Sequence, residues 1–297
     1  MQVDKIFAKD LKKHFDFHIT FNKNADHIEY SQFYDKIGVH KLRGIAYRKR
    51  ILITTIGYKE FFIAFILKFI FLNHVVHSIH DWQPHPGKKY FITKFYNYVV
   101  SLVFELSFYS FDQKSKSRSA NSIVHRLPIL VKRLAKDKVG QSKKVILFGR
   151  NESYKNFEYA YKIAPYAQLD GYEIHIFSKN LLSNNSKNVK VNNEFLQNEK
   201  LFDEIASSCL VLVPYTSATQ SGVIIKALEN GTPVIVSDLP GLKEDFHHES
   251  LGTCINLDDH EKDSWSKIRH FLESWDPRAF DSAIMQIADE LPSDHKK

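Results

Sequence analysis

Hydrophobic and polar positions follow two different rhythms along this chain, and the change falls near residue 140. Beyond it, short and almost uniformly apolar runs alternate with stretches of helical period. Lys144–Phe148 (KVILF), Tyr172–Phe177, Leu210–Pro214 (LVLVP) and Pro233–Ser237 (PVIVS) are predicted strands, with shorter ones at Val189–Val191 and Thr253–Asn256. Helices are expected over Asn156–Leu169, Glu199–Ser208, Gly222–Asn230, Glu261–Glu273 and Pro277–Glu290. Gly231 stands in the C′ position that favours glycine after the third of these. Strands apolar on both faces and separated by helices imply a parallel sheet covered on both sides, a doubly wound α/β domain.

The first half is less regular. Asp16–Phe21 alternates like a strand, and Ile51–Thr55, His74–Ile79 and Ser107–Phe111 read as further strands. Lys88 to about Leu106 reads as a long helix, with Phe91, Phe95, Tyr98, Val99 and Leu102 at helical spacing. The run Phe61–Leu72 is twelve residues long with Lys68 in its middle, too short for a membrane span of about 20 residues. It is either a buried core element or a patch that dips into a bilayer surface, with Lys59 and Lys68 reaching the interface. Residues 112–122 form a polar loop and about 134–142 a polar linker. The expected domains are 1–137, 138–275, and a C-terminal helix at 276–297 that could pack back on the first.

Composition sharpens this picture only modestly. With 43 % hydrophobic and 25 % charged residues the chain is neither disordered, collagen-like nor a disulfide scaffold. Its two cysteines, Cys209 and Cys254, point to a reducing compartment and lack the spacing of a metal site. No signal-peptide pattern opens the chain.

Charge says more. Residues 1–140 hold 24 Lys and Arg against 11 Asp and Glu, and the remainder holds 17 against 23. A basic, aromatic-rich half joined to a mildly acidic one suggests that the first half meets something anionic. Nucleic acid, an anionic membrane and a phosphorylated substrate all fit, as does a basic surface that merely keeps the protein soluble. The basic stretch Lys41–Arg50 (KLRGIAYRKR) motivates nucleic acid, but no recognition motif accompanies it, and no nucleic-acid partner is expected.

Ligands of open α/β sheets bind beyond the carboxyl ends of the strands. Three such ends carry suggestive residues. In Phe148–Asn156 (FGRNESYKN), Arg150 and Lys155 could grip a pyrophosphate, one as a planar fork and the other as a point charge. In Pro214–Gly222 (PYTSATQSG), small and hydroxyl residues let the backbone approach a ligand, and the amides of Ser221, Gly222 and Val223 would point at an anion. Asn230–Glu244 (NGTPVIVSDLPGLKE) ends a strand in Ser237-Asp238 and a Pro-Gly turn. Each taken alone is also ordinary turn chemistry.

In this order the three segments, from about Lys144 to Glu244, resemble the donor-binding domain of GT-B glycosyltransferases of the large retaining family 4. Gly149, Arg150 and Lys155 match the family's Gly-Arg and Lys, which neutralise the donor diphosphate. NGTPVIVSDLPGLKE is similar to its G-x-P-V-I segment and glycine-rich turn. PYTSATQSGVI looks like a branch in which Thr219, Gln220 and Ser221 open the helix beneath the nucleotide sugar. His77–Gly87 (HSIHDWQPHPG) resembles the acceptor domain's strand-end His-Asp and following loop. The resemblance implies two Rossmann-like α/β domains with a cleft between them, the first short or divergent. It also implies His80 near the transferred sugar, with Asp81 orienting it or binding an acceptor hydroxyl, and His85 as the next candidate. His77 is expected to be a satisfied histidine at a strand end.

One departure stands out. The family's paired glutamates fall at Ala218 and Lys226, so its ribose contact is not available here; Glu229 lies three residues further on. The function implied is retaining transfer, of a hexose by the resemblance, from a nucleotide-diphosphate sugar to a lipid-linked or polysaccharide acceptor, with no metal and no enzymic nucleophile. The chain would work in the cytoplasm at the inner face of an anionic membrane. The alternative is a catalytically silent GT-B subunit that binds a partner glycosyltransferase or a glycan.

Overall fold

A computed structural model describes residues 17–19, 50–53, 58–70, 72, 74–79, 90–108, 122–124, 129, 131–135, 142–179, 188–194, 196, 198–218, 221–246 and 248–290. The chain divides into two compact units, Met1–Pro128 and Ile129–Lys297.

The first unit is a five-stranded, all-parallel sheet whose strands lie in chain order: β1 (Phe17–Ile19), β2 (Arg50–Ile53), β3 (His74–Ile79), β4 (Glu105–Phe108) and β5 (Ser122–Val124). Helix α1 (Tyr58–Phe69) joins β2 to β3, and α2 (Tyr90–Val103) joins β3 to β4. Because both crossovers advance in the same direction and share one hand, both helices lie on the same face of the sheet. Phe61 of α1 sits 6.3 Å from Tyr96 of α2 and 5.7 Å from Phe104, ring centroid to ring centroid. The Lys68 ammonium bonds the Val103 carbonyl at the end of α2, so it closes a helix terminus instead of reaching outward. Val75, Val76, Val100, Leu106 and Phe108 form the core.

The helix expected over 88–106 is present over Tyr90–Val103, with Glu105 and Leu106 in β4 instead, yet Phe91, Phe95, Tyr98 and Leu102 of its apolar stripe are exposed, and the side buried on the sheet carries Asn97 and Val100. Strand β5 starts at the end of the polar loop expected over 112–122, where no strand was expected; three residues are too few for a periodic signal.

The second unit is a six-stranded parallel sheet in the order β11-β10-β9-β6-β7-β8. Its strands are β6 (Lys144–Phe148), β7 (Glu173–Phe177), β8 (Val189–Asn192), β9 (Leu210–Val213), β10 (Val234–Ser237) and β11 (Gly252–Ile255). The helices are α3 (Glu158–Leu169), α4 (Asn198–Ala206), α5 (Gly222–Glu229), the short α6 (Pro240–Lys243), α7 (Glu261–Ser274) and α8 (Pro277–Glu290). Val145, Leu147, Ile174, Ile176, Leu210, Leu212 and Ile235 project to one face, where Ile163 of α3 and Trp265 and Ile268 of α7 cover them. Ile146, Val211, Val213 and Val236 alternate to the other, where α5 packs on β9 and β10. Every residue of β9 and β10 is buried, which is why these strands read as unbroken apolar runs.

Two devices tie the ends of this unit together. Gly231, at φ +69°, ends α5, and a Cβ there would meet the backbone of residues 133–135, 2.9–3.0 Å away. Asp281 of α8 accepts the Ala135 amide at 2.6 Å, and Phe280 is fully buried against Trp275, so α8 closes on the same segment.

Candidate functional site

The sheet order of the second unit locates its binding crevice. From β6 the chain runs outward through β7 and β8, then returns to β9 on the other side of β6. At such a switch point the loops leave β6 and β9 in opposite directions and open a crevice beyond their carboxyl ends. Residues 149–156 and 214–218, with Ser221, line that crevice. Thr216 stitches the two loops together by donating its amide and its hydroxyl to the Tyr154 carbonyl, at 2.8 and 3.3 Å.

Gly149 begins the first loop. Its amide donates to the Phe177 carbonyl at 3.0 Å, and its φ of +135° suits only glycine. A Cβ there would also fall on the Lys155 ammonium, which would have to shift from its place over Gly149. A 3₁₀ turn at Ser153–Lys155 and a left-handed Asn156, φ +49°, fold Lys155 back over Gly149.

Lys155 is 9 % exposed, and among the described residues no carboxylate lies within ion-pair distance of it. Its ammonium stands 5.8 Å from the Tyr215 ring centroid. Burial holds its pKa below the ordinary lysine value; Glu152 opposes that, and the charges of Arg150 and Lys226 add to it. Lys226, half-buried on α5, is likewise depressed by burial and then by Lys132, against the pull of Glu229. Glu229 is buried and held by Lys132 at 2.7 Å, which fixes the 131–135 segment to α5. Arg150, Lys155 and Lys226 therefore form a cationic cluster at the mouth of the crevice. A bound anion would lower its electrostatic cost.

The start of α5 is more heavily engaged than its sequence implies. Ser221 caps the helix by accepting the Val223 amide at 3.3 Å, while its own amide donates to Asp245 Oδ2 at 2.7 Å. Of the three amides of Ser221, Gly222 and Val223, only that of exposed Gly222 has no acceptor among the described residues. Ser221 also bonds the buried Tyr215 phenol, whose pKa burial pushes up. Ser237 Oγ donates to the Tyr215 carbonyl at 2.5 Å and joins the end of β10 to the same network. Asp245 is enclosed by protein atoms although part of its surface stays open. Burial pushes its pKa up to about 8 against the Ser221 amide, and Glu244 adds to the rise.

Of the residues singled out in the sequence, Gly149, Arg150, Lys155, Ser221, Gly222 and Val223 lie around this crevice, with Lys155 linked to Ser221 through Tyr215. Thr219 and Gln220 lie outside the described residues, as do His80, Asp81 and His85. His77 is fully buried, its Nε2 3.3 Å from the Tyr96 hydroxyl. Tyr154, Tyr215 and Asp245 were not anticipated. The one signal for Tyr215 is an aromatic placed directly after Pro214 at a strand end, and Asp245 is hidden beside Glu244.

Residues 142–274 match the protein-family model described as "Glycosyl transferases group 1". Solved structures share the fold at low identity. HepE of Anabaena, solved with UDP, is 16 % identical, with a TM-score of 0.58 over 82 % of this chain and 73 % of HepE. TarM, 12 % identical, gives a TM-score of 0.62 over 83 % of this chain and 52 % of its own. An E. coli structure described as "Trehalose-6-phosphate from E. coli bound with UDP-2-fluoro glucose" is 13 % identical, with a TM-score of 0.60 over 84 % of this chain and 71 % of that one. No functionally characterised protein matches the chain by sequence alone.

Proposed function

We propose that this chain, a group 1 glycosyltransferase of the family-4 kind with the GT-B fold, is a retaining enzyme that moves a hexose from a nucleotide-diphosphate sugar to a lipid-linked or polysaccharide acceptor. The observation that carries this reading is Lys155. It is a buried ammonium without a carboxylate partner among the described residues, folded over Gly149 and flanked by Arg150 and Lys226 at the switch point. Such a cluster suits the diphosphate of a donor. In the transfer, the bond from the anomeric carbon to the diphosphate breaks and its electron pair stays on the leaving oxygen. The acceptor oxygen bonds to the anomeric carbon, and its proton passes to the departing phosphate. Negative charge grows on the diphosphate, so fixed cations there favour the transition state over the ground state.

Thr219 and Gln220 are proposed to line the donor site with Ser221, Gly222 and Val223, and His80 with Asp81 to meet the sugar and acceptor. UDP and UDP-glucose are the ligands of the HepE structures and are the first donors to test. No helix among the described residues is long and apolar enough to cross a membrane. The basic first unit would instead hold the enzyme at an anionic membrane surface on its cytoplasmic side, next to a lipid-linked acceptor.

A second reading, a silent subunit that binds a partner enzyme or glycan, rests on Ala218 and Lys226, where the resemblance leads one to expect glutamates. Melting curves with UDP, GDP, UDP-glucose and GDP-mannose separate the two when paired with a hydrolysis assay. A ligand at about 100 times its Kd adds about 2.7 kcal/mol. A nucleotide-sugar shift together with slow release of the free sugar supports the enzyme. A shift with no turnover under any acceptor supports the subunit.

A further inference from the structure

Ten of the twelve large hydrophobic side chains exposed among the described residues fall within residues 62–102, on or beside α1 and α2. On α2, Phe91, Phe95 and Leu102 recur at i, i+4 and i+11 and are 82 %, 69 % and 69 % exposed. On α1, Phe62, Phe65 and Phe69 recur at i, i+3 and i+7 and are exposed as well. Both helices lie on one face of the sheet and touch through Phe61 and Tyr96, so the two stripes belong to neighbouring helices of one layer. Together they are far larger in apolar content than scattered exposure on a soluble monomer requires.

We infer that this α1–α2 face is the element that seats the protein in an anionic lipid bilayer, its phenylalanines entering the acyl boundary and its helices lying in the membrane plane. The inference rests on the membrane-held acceptor proposed above and names the surface responsible. Charge selects the occupant. The unit Met1–Pro128 carries 20 Lys and Arg against 10 Asp and Glu. Helix α2 contains no acidic residue, and its one basic residue, Lys94, is exposed beside Phe91 and Phe95. An apolar stripe with a cation at its edge and no carboxylate is compatible with a helix that lies in a headgroup layer. A helix of 14 residues is about 21 Å long, too short to cross a bilayer and sufficient to lie within one leaflet. Nine of the ten side chains offered are Phe, Ile and Leu, which need no hydrogen-bond partner from the other side, and the tenth is Tyr98; protein hot spots favour Trp, Tyr and Arg.

Flotation of the full chain with vesicles of phosphatidylglycerol and phosphatidylethanolamine, and with neutral phosphatidylcholine vesicles, tests this surface. Strong binding is expected to the anionic vesicles and at least tenfold weaker binding to the neutral ones. The triple variant Phe91→Ser, Phe95→Ser, Leu102→Ser should lose at least tenfold in vesicle binding while keeping the nucleotide-induced melting shift of the second unit. Phe95→Trp guards against a triple variant that fails to fold: its emission should move to the blue when anionic vesicles are added. Vesicle binding unchanged in the triple variant overturns the inference. So does a blue shift that follows protein concentration without lipid, because a second copy would then cover the face. An enzyme that never turns over yet binds vesicles through this face overturns the transferase reading and leaves this one standing.

Discussion

The two units are both parallel sheets layered with helices, and they put their hydrophobic residues to opposite uses. In the second, the apolar stripes of α3, α5 and α7 turn inward, and β9 and β10 are buried along their whole length. In the first, α2 keeps Asn97 and Val100 against the sheet and turns its phenylalanines outward. Cations differ in the same way. The second unit has the lower density of basic residues but concentrates three at one crevice, while the first carries 20 Lys and Arg against 10 Asp and Glu along its chain. A hydrophobic period therefore reports that a face will be covered and leaves open by what. A net charge reports attraction to anions and leaves open whether they arrive as one ligand or as a surface.

The largest effect that can break this contrast lies at the crevice. The double variant Arg150→Ala, Lys155→Ala should reduce sugar transfer, or donor hydrolysis where no acceptor is known, by about 10³-fold or more, because losing a single such stabiliser already costs about 10²–10³. Vesicle binding should be unchanged. Activity that survives the double variant moves the donor site elsewhere. Phosphate affinity that falls together with vesicle affinity would mean that the two units share one diffuse electrostatic role.

Much of the second unit was legible because its physics is local. β6 coincides with the KVILF run, since full burial on both faces leaves no polar interruption, and α8 coincides with the bounds predicted for it. Gly149 and Gly231 could be read as punctuation, and both prove to need a positive φ. Contacts made across the sheet could not be read. The Ser221 amide is consumed by Asp245, 24 residues later, and Glu229 is consumed by Lys132, 97 residues earlier. In the first unit the period of α2 could be read and its direction could not, because a helix with Phe91, Phe95 and Leu102 on one side reads alike whether that side turns to a core or outward.

Stability offers the next test. Leu147→Ala, in the core of the second unit, should cost about 2–5 kcal/mol in denaturant unfolding of that unit. Phe95→Ser, an apolar side chain of similar weight on α2, should change unfolding by no more than about 0.5 kcal/mol. A large loss at Phe95 would show that the exposed stripe belongs to a core after all and would remove its membrane role.

Asp245 gives a pH dependence of intermediate size. Its pKa is 3.8 when unperturbed and about 8 in the fold, so the folded state holds a proton that the unfolded chain releases. The stabilisation from that proton is complete below about pH 4, declines as the pH rises between 4 and 8, and is gone above 8, at up to about 1.4 kcal/mol per pH unit within the window. Asp245→Asn keeps an acceptor for the Ser221 amide and removes the titration. The variant should match the wild type near pH 4 and exceed it in melting temperature at pH 9. Equal pH profiles would place an ionised carboxylate at the start of α5 throughout.

The smallest effect sets two lysines side by side. Lys190 on β8 is exposed and bonded to Glu173 at 2.8 Å, whose carboxyl it holds below the usual range, with His175 contributing as well. Lys155 is buried and has no such carboxylate among the described residues. A surface pair gains little Coulomb energy in water, gives up side-chain entropy and is screened by salt. Lys190→Ala should therefore change stability by less than about 1 kcal/mol at low salt and by nothing measurable at 1 M. Lys155→Ala should abolish the melting shift produced by UDP and leave the protein without ligand equally or more stable, since a desolvated charge with no carboxylate partner burdens the empty fold. If Lys155→Ala instead destabilises the empty protein and leaves the nucleotide shift intact, Lys155 holds up the loop and the anion is bound by other groups.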